Sequence, residues 1–167
     1  MIYSKDVLKH FRKPHHMGKI KDADGIGKIG NIICGDVMWL YIKVAKNKKN
    51  QEIIKDIKFE TFGCTAAIAT SSMVTDLALG KTLEQALKID KTKITSSLGG
   101  LPPIKIHCSV LANDALTEAI YDYYSKKDKP ITKELEERHR HIKREKEIIE
   151  EKYKDWISKQ EAAVGEK

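Results

Sequence analysis

The sequence lacks the features of a membrane protein and of a secreted disulfide scaffold. No apolar run among its 167 residues approaches the roughly 20 that a spanning helix needs. The N-terminal residues show neither an apolar stretch nor a small-residue cleavage site, which argues against secretion. Cysteine is scarce, and three cysteines cannot all pair within one chain. We therefore expect a cytoplasmic protein, with no membrane partner, whose cysteines stay as thiols or bind a metal.

Aromatic residues are also scarce, at 7%, although the formal net charge is +7. The positive excess lies in residues 1–129, whereas residues 130–167 carry ten basic and ten acidic side chains. The basic stretch 46–49 contains no arginine or aromatic residue, which is typical of a solvated turn. The charge pattern therefore does not indicate a nucleic-acid partner.

Hydrophobic periodicity predicts a mixed fold. A run rich in β-branched and aromatic residues at 37–44 and a run of period 2 at 53–62 predict a hairpin whose sheet is covered on one face. Helical spacing predicts helices over 3–12, 65–79, 82–87, 92–98 and 109–124. The prolines favour an extended segment at 101–105. A glycine-rich stretch at 25–30 has the spacing of a dinucleotide fingerprint, but a strand-like run follows it instead of a helix, which excludes that reading.

The chain divides at Pro130 into a domain over 1–129 and a charged tail over 130–167. Beyond the proline, a single line of apolar side chains recurs every seven residues, at Leu135, Ile142, Ile149 and Trp156. A strong coiled coil needs two such lines. We therefore expect one long, solvated helix over about 133–160 that packs only weakly on the core.

The three cysteines, Cys34, Cys64 and Cys108, show no Cys-x-x-Cys pairing, and their spacing alone also suits buried core residues. Their contexts favour a site. Cys64 and Cys108 precede predicted helices, where the N-terminal dipole stabilises a thiolate, and Cys34 lies at a loop-to-strand junction. Asp36 and His107 add oxygen and nitrogen donors. This set suits zinc, iron or an iron–sulfur cluster and does not suit magnesium or calcium.

Three segments surround these cysteines: GNIICGDVM at 30–38, FGCTAAIA at 62–69 and LPPIKIHCS at 101–109. In this order and spacing they resemble the cysteine motifs of the IscU/NifU family of iron–sulfur cluster assembly scaffolds, over about residues 2–127. The resemblance implies an α+β fold with a three-stranded antiparallel sheet packed with helices, here followed by a C-terminal charged helical extension. The strand still unaccounted for should lie within 18–33.

The resemblance also implies roles for site residues. Cys34, Cys64 and Cys108 are the expected ligands of a [2Fe-2S] cluster or its iron, with zinc in the cluster-free state. Asp36 is the expected acidic residue that keeps the cluster labile, and His107 is an accessory ligand. Because three cysteines leave one cluster position open, His107, Asp36 or a second protomer in a homodimer would complete it.

By the same resemblance the protein is a scaffold and not an enzyme. It would receive persulfide sulfur from a cysteine desulfurase and transfer finished clusters to apo proteins. An Hsp70-type chaperone would bind the segment Leu101, Pro102, Pro103, Ile104 and Lys105, although this segment could equally be a rigid strap.

Cys108 is the expected first sulfur acceptor, since it begins a helix beside His107 and near Lys105. Cys64 has no cation among its sequence neighbours, and the charge of Asp36 disfavours the thiolate of Cys34.

Two alternatives remain. A SufU-like zinc-dependent sulfur acceptor would carry an insertion between the second and third motifs and would lack the His before the third Cys, unlike this chain. A Cys-His hydrolase would need orienting and oxyanion groups that no motif supplies.

The chain also departs from the family. It has Lys13-Pro14-His15-His16 where Asn-Pro-x-Asn is common, and its tail has no counterpart in short scaffolds.

Overall fold

The computed structural model describes residues 2–31 and 35–165, which form a three-stranded antiparallel sheet and the helices around it. The strands β1 to β3 are Gly25–Asn31, Asp36–Lys46 and Glu52–Phe62. The helices α1 to α6 are Lys5–Arg12, Thr65–Ala78, Leu83–Leu87, Lys91–Ser97, Ile106–Lys126 and Lys133–Gly165. The predicted fold class and C-terminal helix are confirmed.

The sheet buries one face against helices. Strand β2 is central and pairs with both neighbours. As the alternation predicts, Ile57 and Phe59 on β3 are fully buried, while Glu60, the next residue of the same strand, is exposed. Helices α2 and α5 contact the sheet and enclose the core with these side chains. The sheet and these two helices form the frame that positions the ends of β2 and β3.

Strand β1 is glycine-rich because helix α5 lies directly against it. A Cβ atom on Gly27 would collide with the main-chain carbonyl oxygen of Ala115, and one on Gly25 would collide with that of Ala119. Glycine is therefore required for the close approach of strand and helix. The strand lies within the range 18–33 that the family resemblance indicated.

The proline segment is less extended than predicted. Pro102 has extended backbone angles, but Pro103 begins a 3₁₀ turn that ends at Lys105 and leads into α5. The prediction of an extended 103–105 is wrong because the fixed φ of proline is also compatible with the first turn of a helix. As a result α5 begins at Ile106, and His107 and Cys108 lie in its first turn.

The first half of α6 packs on the core, so the prediction of a solvated, weakly packed helix is wrong there. Leu135 and Ile142 are 2% and 8% exposed. The guanidinium group of Arg138 donates hydrogen bonds to the main-chain oxygen of Leu87 at 2.9 Å and to Oγ1 of Thr117 at 2.6 Å. A polar side chain therefore anchors α6 at a position where a coiled coil would have its second line of apolar residues. The side chain of Trp156 lies outside the described residues.

No helix in the described ranges is both long and apolar enough to cross a membrane.

Candidate metal centre

Three segments bring sulfur, nitrogen and oxygen donors to one end of the sheet. Asp36 is the first residue of β2, and Cys64 is the N-cap of α2 just beyond the end of β3. Because β2 and β3 are antiparallel, with Val37 opposite Phe62, the start of one strand meets the end of the other. The first turn of α5 adds His107 and Cys108.

The donor atoms of these four residues lie close together. The Sγ atoms of Cys64 and Cys108 are 3.8 Å apart, with no disulfide between them. Nε2 of His107 is 3.6 Å from the Cys108 sulfur, and Oδ2 of Asp36 is 3.8 Å from both. The structure thus brings together four of the five predicted site residues. The fifth, Cys34, lies outside the described residues.

Asp36 is held in place by the segment that carries Cys64. Its side chain is nearly buried, and its Oδ1 atom accepts a hydrogen bond from the backbone N–H of Cys64 at 3.3 Å. A Cβ atom on Gly63 would lie 2.7 Å from this oxygen and 2.9 Å from the Cβ atom of Ala67. Gly63 therefore makes room for the carboxylate. Sequence reasoning gave Gly63 no role, although its place before the cysteine at a strand-to-helix junction was a usable signal.

The Cys108 thiol is buried, and this contradicts the environment predicted for a sulfur acceptor. The residue is 1% exposed. Burial raises the pKa of the Cys108 thiol, the neighbouring Cys64 and Asp36 raise it further, and Lys105 opposes them only weakly. In the metal-free protein this thiol is therefore protonated at neutral pH, because desolvation outweighs the nearby cation. The expectation that Cys108 is exposed and activated is wrong.

Lys105 is associated more closely with Cys64 than with Cys108. The negative charge of the Cys64 thiolate is the largest cause that raises the pKa of Lys105. Cys64 is only partly buried. The expectation that Cys64 lacks a cation is therefore wrong, because the 3₁₀ turn places Lys105 beside it in space and not in sequence.

The donor set defines what the centre can hold. Two thiol sulfurs, one imidazole nitrogen and one carboxylate oxygen suit zinc or iron and are poor partners for magnesium or calcium. The high thiol pKa does not prevent binding, because a metal ion displaces the thiol proton. His107 is exposed on the solvent side of the centre, while Asp36 and Cys108 line its inner side. Ions and sulfur can therefore enter from the His107 side.

The segment from Leu101 to Lys105 leads into the centre. Leu101 packs against a small apolar cluster of Ala66, Ala67 and Cys108. Ile104 points the other way and is 78% exposed. The segment therefore supports Cys108 from one side and presents an apolar side chain to solvent on the other.

Comparison with known proteins identifies the family. The family described as "NifU-like N terminal domain" matches residues 2–130. The chain is 56% identical over 128 residues to the iron-sulfur cluster assembly scaffold protein IscU 1 of Archaeoglobus fulgidus, covering 77% of this chain and 80% of that protein. It is 48% identical over 130 residues to the iron-sulfur cluster assembly scaffold protein IscU of Azotobacter vinelandii, covering 76% of this chain and 98% of that protein.

A solved structure supports the fold independently. The N-terminal part of a nitrogen-fixing NifU-like protein from Brucella abortus superposes with a TM-score of 0.58 at 19% identity, covering 75% of this chain and 96% of that one. At this identity the likeness concerns the fold alone. The matches in sequence extend to more than three quarters of the chain and include the segments that carry Cys64 and Cys108. The chain therefore belongs to the NifU-like N-terminal domain family, the family of the IscU iron–sulfur cluster assembly scaffolds.

Proposed function

We propose that this chain assembles a [2Fe-2S] cluster on Cys34, Cys64 and Cys108 and transfers it to apo proteins. The observation that carries the proposal is the convergence of two thiols, an imidazole and a carboxylate at one end of the sheet. Cys34 precedes Asp36 by two residues in the sequence, and we include it as the third ligand on the strength of the family motif. In this member of a family of named cluster scaffolds, such a donor set is best explained as a cluster-assembly centre.

The fourth cluster position is supplied by Asp36 or His107. A [2Fe-2S] cluster takes four protein ligands, and three cysteines leave one position open. Oδ2 of Asp36 and Nε2 of His107 both lie within 4 Å of the Cys108 sulfur. Both are weaker ligands for iron than a thiolate, which suits a cluster that must be released. A donor from a second protomer is the alternative.

The sulfur comes from the persulfide of a cysteine desulfurase. A thiolate of the scaffold attacks the outer persulfide sulfur, forms a new persulfide and releases the desulfurase thiolate. Reduction of that sulfur to sulfide needs electrons from a separate thiol or iron–sulfur reductant. Of the two described cysteines, we assign the first attack to Cys64, because it is the one that solvent reaches and Lys105 is beside it.

The segment 101–105 is a candidate contact for an Hsp70-type chaperone. Its exposed Ile104 offers an apolar side chain next to the cluster centre. Binding there would pull on the same segment that supports Cys108 through Leu101. Such a pull would loosen the cluster and favour its transfer to a recipient.

Cluster assembly is tested by reconstitution without oxygen. Metal-free protein is incubated with ferrous iron, cysteine and a desulfurase, and visible absorption, iron and acid-labile sulfide are measured. We expect two irons and two sulfides per cluster in the wild type. Cys64→Ser and Cys108→Ser should lose the cluster, whereas His141→Gln, a change on the exposed part of α6, should retain it.

The same experiment distinguishes the zinc-dependent alternative. A SufU-like sulfur acceptor would retain one zinc ion per chain and accept sulfur without forming a coloured cluster. The donor set fits zinc as well as iron, so metal content after purification without oxygen is the decisive quantity. Zinc without labile sulfide in every preparation would overturn the scaffold proposal.

A further inference from the structure

A second group of metal-binding side chains lies away from the cysteines, where the N-terminal segment packs on α2. It comprises His10 near the end of α1, His15 and His16 in the following turn, and Asp76 in the last turn of α2. Asp76 follows Cys64 by twelve residues along a continuous helix, a distance of about 18 Å at ~1.5 Å per residue. The two groups of side chains therefore cannot share one ion.

Imidazole and carboxylate atoms converge in this group. Nδ1 of His15 lies 2.7 Å from Oδ2 of Asp76, and Nδ1 of His16 lies 3.4 Å from Oδ1 of the same carboxylate. The rings of His10 and His15 have centroids 4.8 Å apart. One ligand atom each from His10, His15 and Asp76 lies within 4.8 Å of the other two.

The surrounding chain holds these side chains in place. The hydroxyl oxygen of Ser72 accepts a hydrogen bond from the backbone N–H of His15 at 2.8 Å and lies 2.7 Å from Nδ1 of His10. Nδ1 of His16 is 2.9 Å from Oγ1 of Thr75. His16 itself adopts a left-handed backbone conformation, with φ of 57°, which is uncommon for a residue with a side chain. This turn directs His15 and His16 toward the same carboxylate.

We propose that His10, His15 and Asp76 bind a divalent transition-metal ion of the zinc class, at a site separate from the cysteine centre. Two imidazoles and a carboxylate, with water in the remaining position, form a typical ligand set for such an ion. His10 is 5% exposed and is fixed by Ser72, whereas the side chains of His15 and Asp76 are partly exposed and contact each other directly. Ligand atoms of a tetrahedral ion lie about 3.3 Å apart when each bond is about 2.0 Å, so small rotations of these two side chains close the site.

His16 and Ser72 position the ligands. His16 contacts the carboxylate oxygen that His15 does not, which orients Asp76. Ser72 occupies Nδ1 of His10 and leaves the other ring nitrogen for the ion. A hydrogen bond of this kind commonly orients a metal-binding histidine. The ion would join α1 and the turn at 13–16 to α2, and would therefore stabilise the folded chain against heat.

The test is a zinc titration of the metal-free, reduced full-length chain. Bound zinc is counted after dialysis, and the melting temperature is measured with and without zinc. We compare the wild type with His15→Gln and with Asp76→Asn, using His141→Gln as the control because His141 lies exposed on α6. The wild type and the control should bind one equivalent more than either site variant. Zinc should raise the melting temperature more in the wild type and the control than in either site variant, because only the first two bind this ion.

The ring nitrogens provide a direct second readout. In the wild type, zinc should shift the nuclear magnetic resonance signals of the His10 and His15 side chains and leave those of His141 unchanged. His15 is exposed enough for the glutamine variant to fold even if Asp76→Asn does not. Equal zinc stoichiometry in wild type and His15→Gln, or unshifted His10 and His15 signals at saturating zinc, would overturn the proposal. Neither readout depends on cluster assembly, so failure of this site leaves the scaffold proposal standing.

Discussion

Asp36 is a nearly buried carboxylate that contacts three different parts of the cysteine centre. It accepts a hydrogen bond from the Cys64 backbone, and its other oxygen lies 3.8 Å from the Cys108 sulfur and from the His107 ring. A carboxylate is a harder ligand than a thiolate and binds iron more weakly. In the proposed cluster centre, this carboxylate would therefore bind iron without making the finished cluster permanent.

We expect removal of the Asp36 charge to slow cluster loss. In Asp36→Ala and Asp36→Asn, transfer of iron to a chelator should slow severalfold, up to about tenfold, which corresponds to ~1.4 kcal/mol of added barrier. The rate is followed by the decay of visible absorption. Glu137→Ala, which removes an exposed carboxylate on α6, serves as control. Faster loss in both Asp36 variants would contradict the assigned role.

Cys64 and Cys108 differ in access although their sulfur atoms are 3.8 Å apart. We expect brief exposure of metal-free protein to desulfurase and cysteine to add sulfur to Cys64 before Cys108, because the buried Cys108 thiol is both inaccessible and protonated. Mass spectrometry of the digested chain locates the added sulfur. In Cys64→Ser, Cys108 should remain unmodified over the same interval. Early modification of Cys108 in that variant would show that Cys108 accepts sulfur directly, and would contradict the assignment of Cys64 as first acceptor.

At the scale of elements, α6 is held by a few side chains in its first half. Leu135 is 2% exposed, whereas Ile148 on the same helix is 44% exposed. Leu135→Ala should lower the free energy of unfolding by about 2–3 kcal/mol, because a buried methyl-rich side chain is lost and a cavity remains. Ile148→Ala should change it by less than about 0.5 kcal/mol. Urea denaturation measures both. Equal effects of the two changes would show that α6 is not docked in solution.

A titrating carboxyl group lies between α5 and α6. Burial raises the pKa of Asp114 to about 6, the charge of Glu145 and then of Glu118 add to this rise, and Arg138 and His141 oppose it. The folded chain therefore holds this proton more strongly than the unfolded chain does. The contribution of Asp114 to stability is fully present below about pH 4 and is lost as the pH rises through about 6.

Asp114→Asn should remove this loss. Relative to the wild type, the variant should gain stability between about pH 4 and 6 and keep a constant advantage above that range. Denaturant melts across the range give the comparison, and Glu137→Gln, at an exposed position on α6, controls for charge alone. A difference between Asp114→Asn and wild type that does not vary with pH would show that Asp114 keeps its ordinary pKa in the folded chain.

The sequence predicts those elements whose burial follows a simple period. The alternation at Ile57 and Phe59 locates β3, because one face of the sheet is buried and the other is not. Strand β1 has no such signal, because Gly25 and Gly27 lack the apolar side chains from which an alternating pattern is recognised. The docking of α6 was missed for a related reason. From the sequence, Arg138 is expected to be exposed to solvent, but in the folded chain it donates hydrogen bonds to two other elements.

The site was predictable in composition but not in electrostatics. Motif resemblance indicated Cys64, Cys108, Asp36 and His107 together, and the antiparallel pairing of β2 and β3 explains why two of them meet. The residue at which α5 begins decides which thiol is buried. That residue is set by the 3₁₀ turn that ends at Lys105, and short-range sequence rules for proline do not predict this turn.

At the scale of the whole molecule, the family domain and α6 are separable in sequence but contact each other in space. The family match ends at residue 130, and the Azotobacter vinelandii relative is covered to 98% by the part of this chain that aligns with it. That relative therefore has no counterpart of most of α6. In this chain α6 also borders a cleft that Ile142 and Ile149 form with His107. The tail thus covers one approach to the cysteine centre.

Deletion of residues 131–167 should leave cluster formation intact but make the chain less stable. The donor groups of the centre come from β2, α2 and α5, so reconstitution should reach the wild-type iron and sulfide content. Exposure of the surface that Leu135 and Ile142 cover should cost about 2–4 kcal/mol, which lowers the melting temperature by roughly 5–15 °C. The opened cleft beside His107 should also speed cluster loss to a chelator. A truncated chain that no longer reconstitutes, or that changes its oligomeric state, would show that α6 docks on a partner or a second protomer instead.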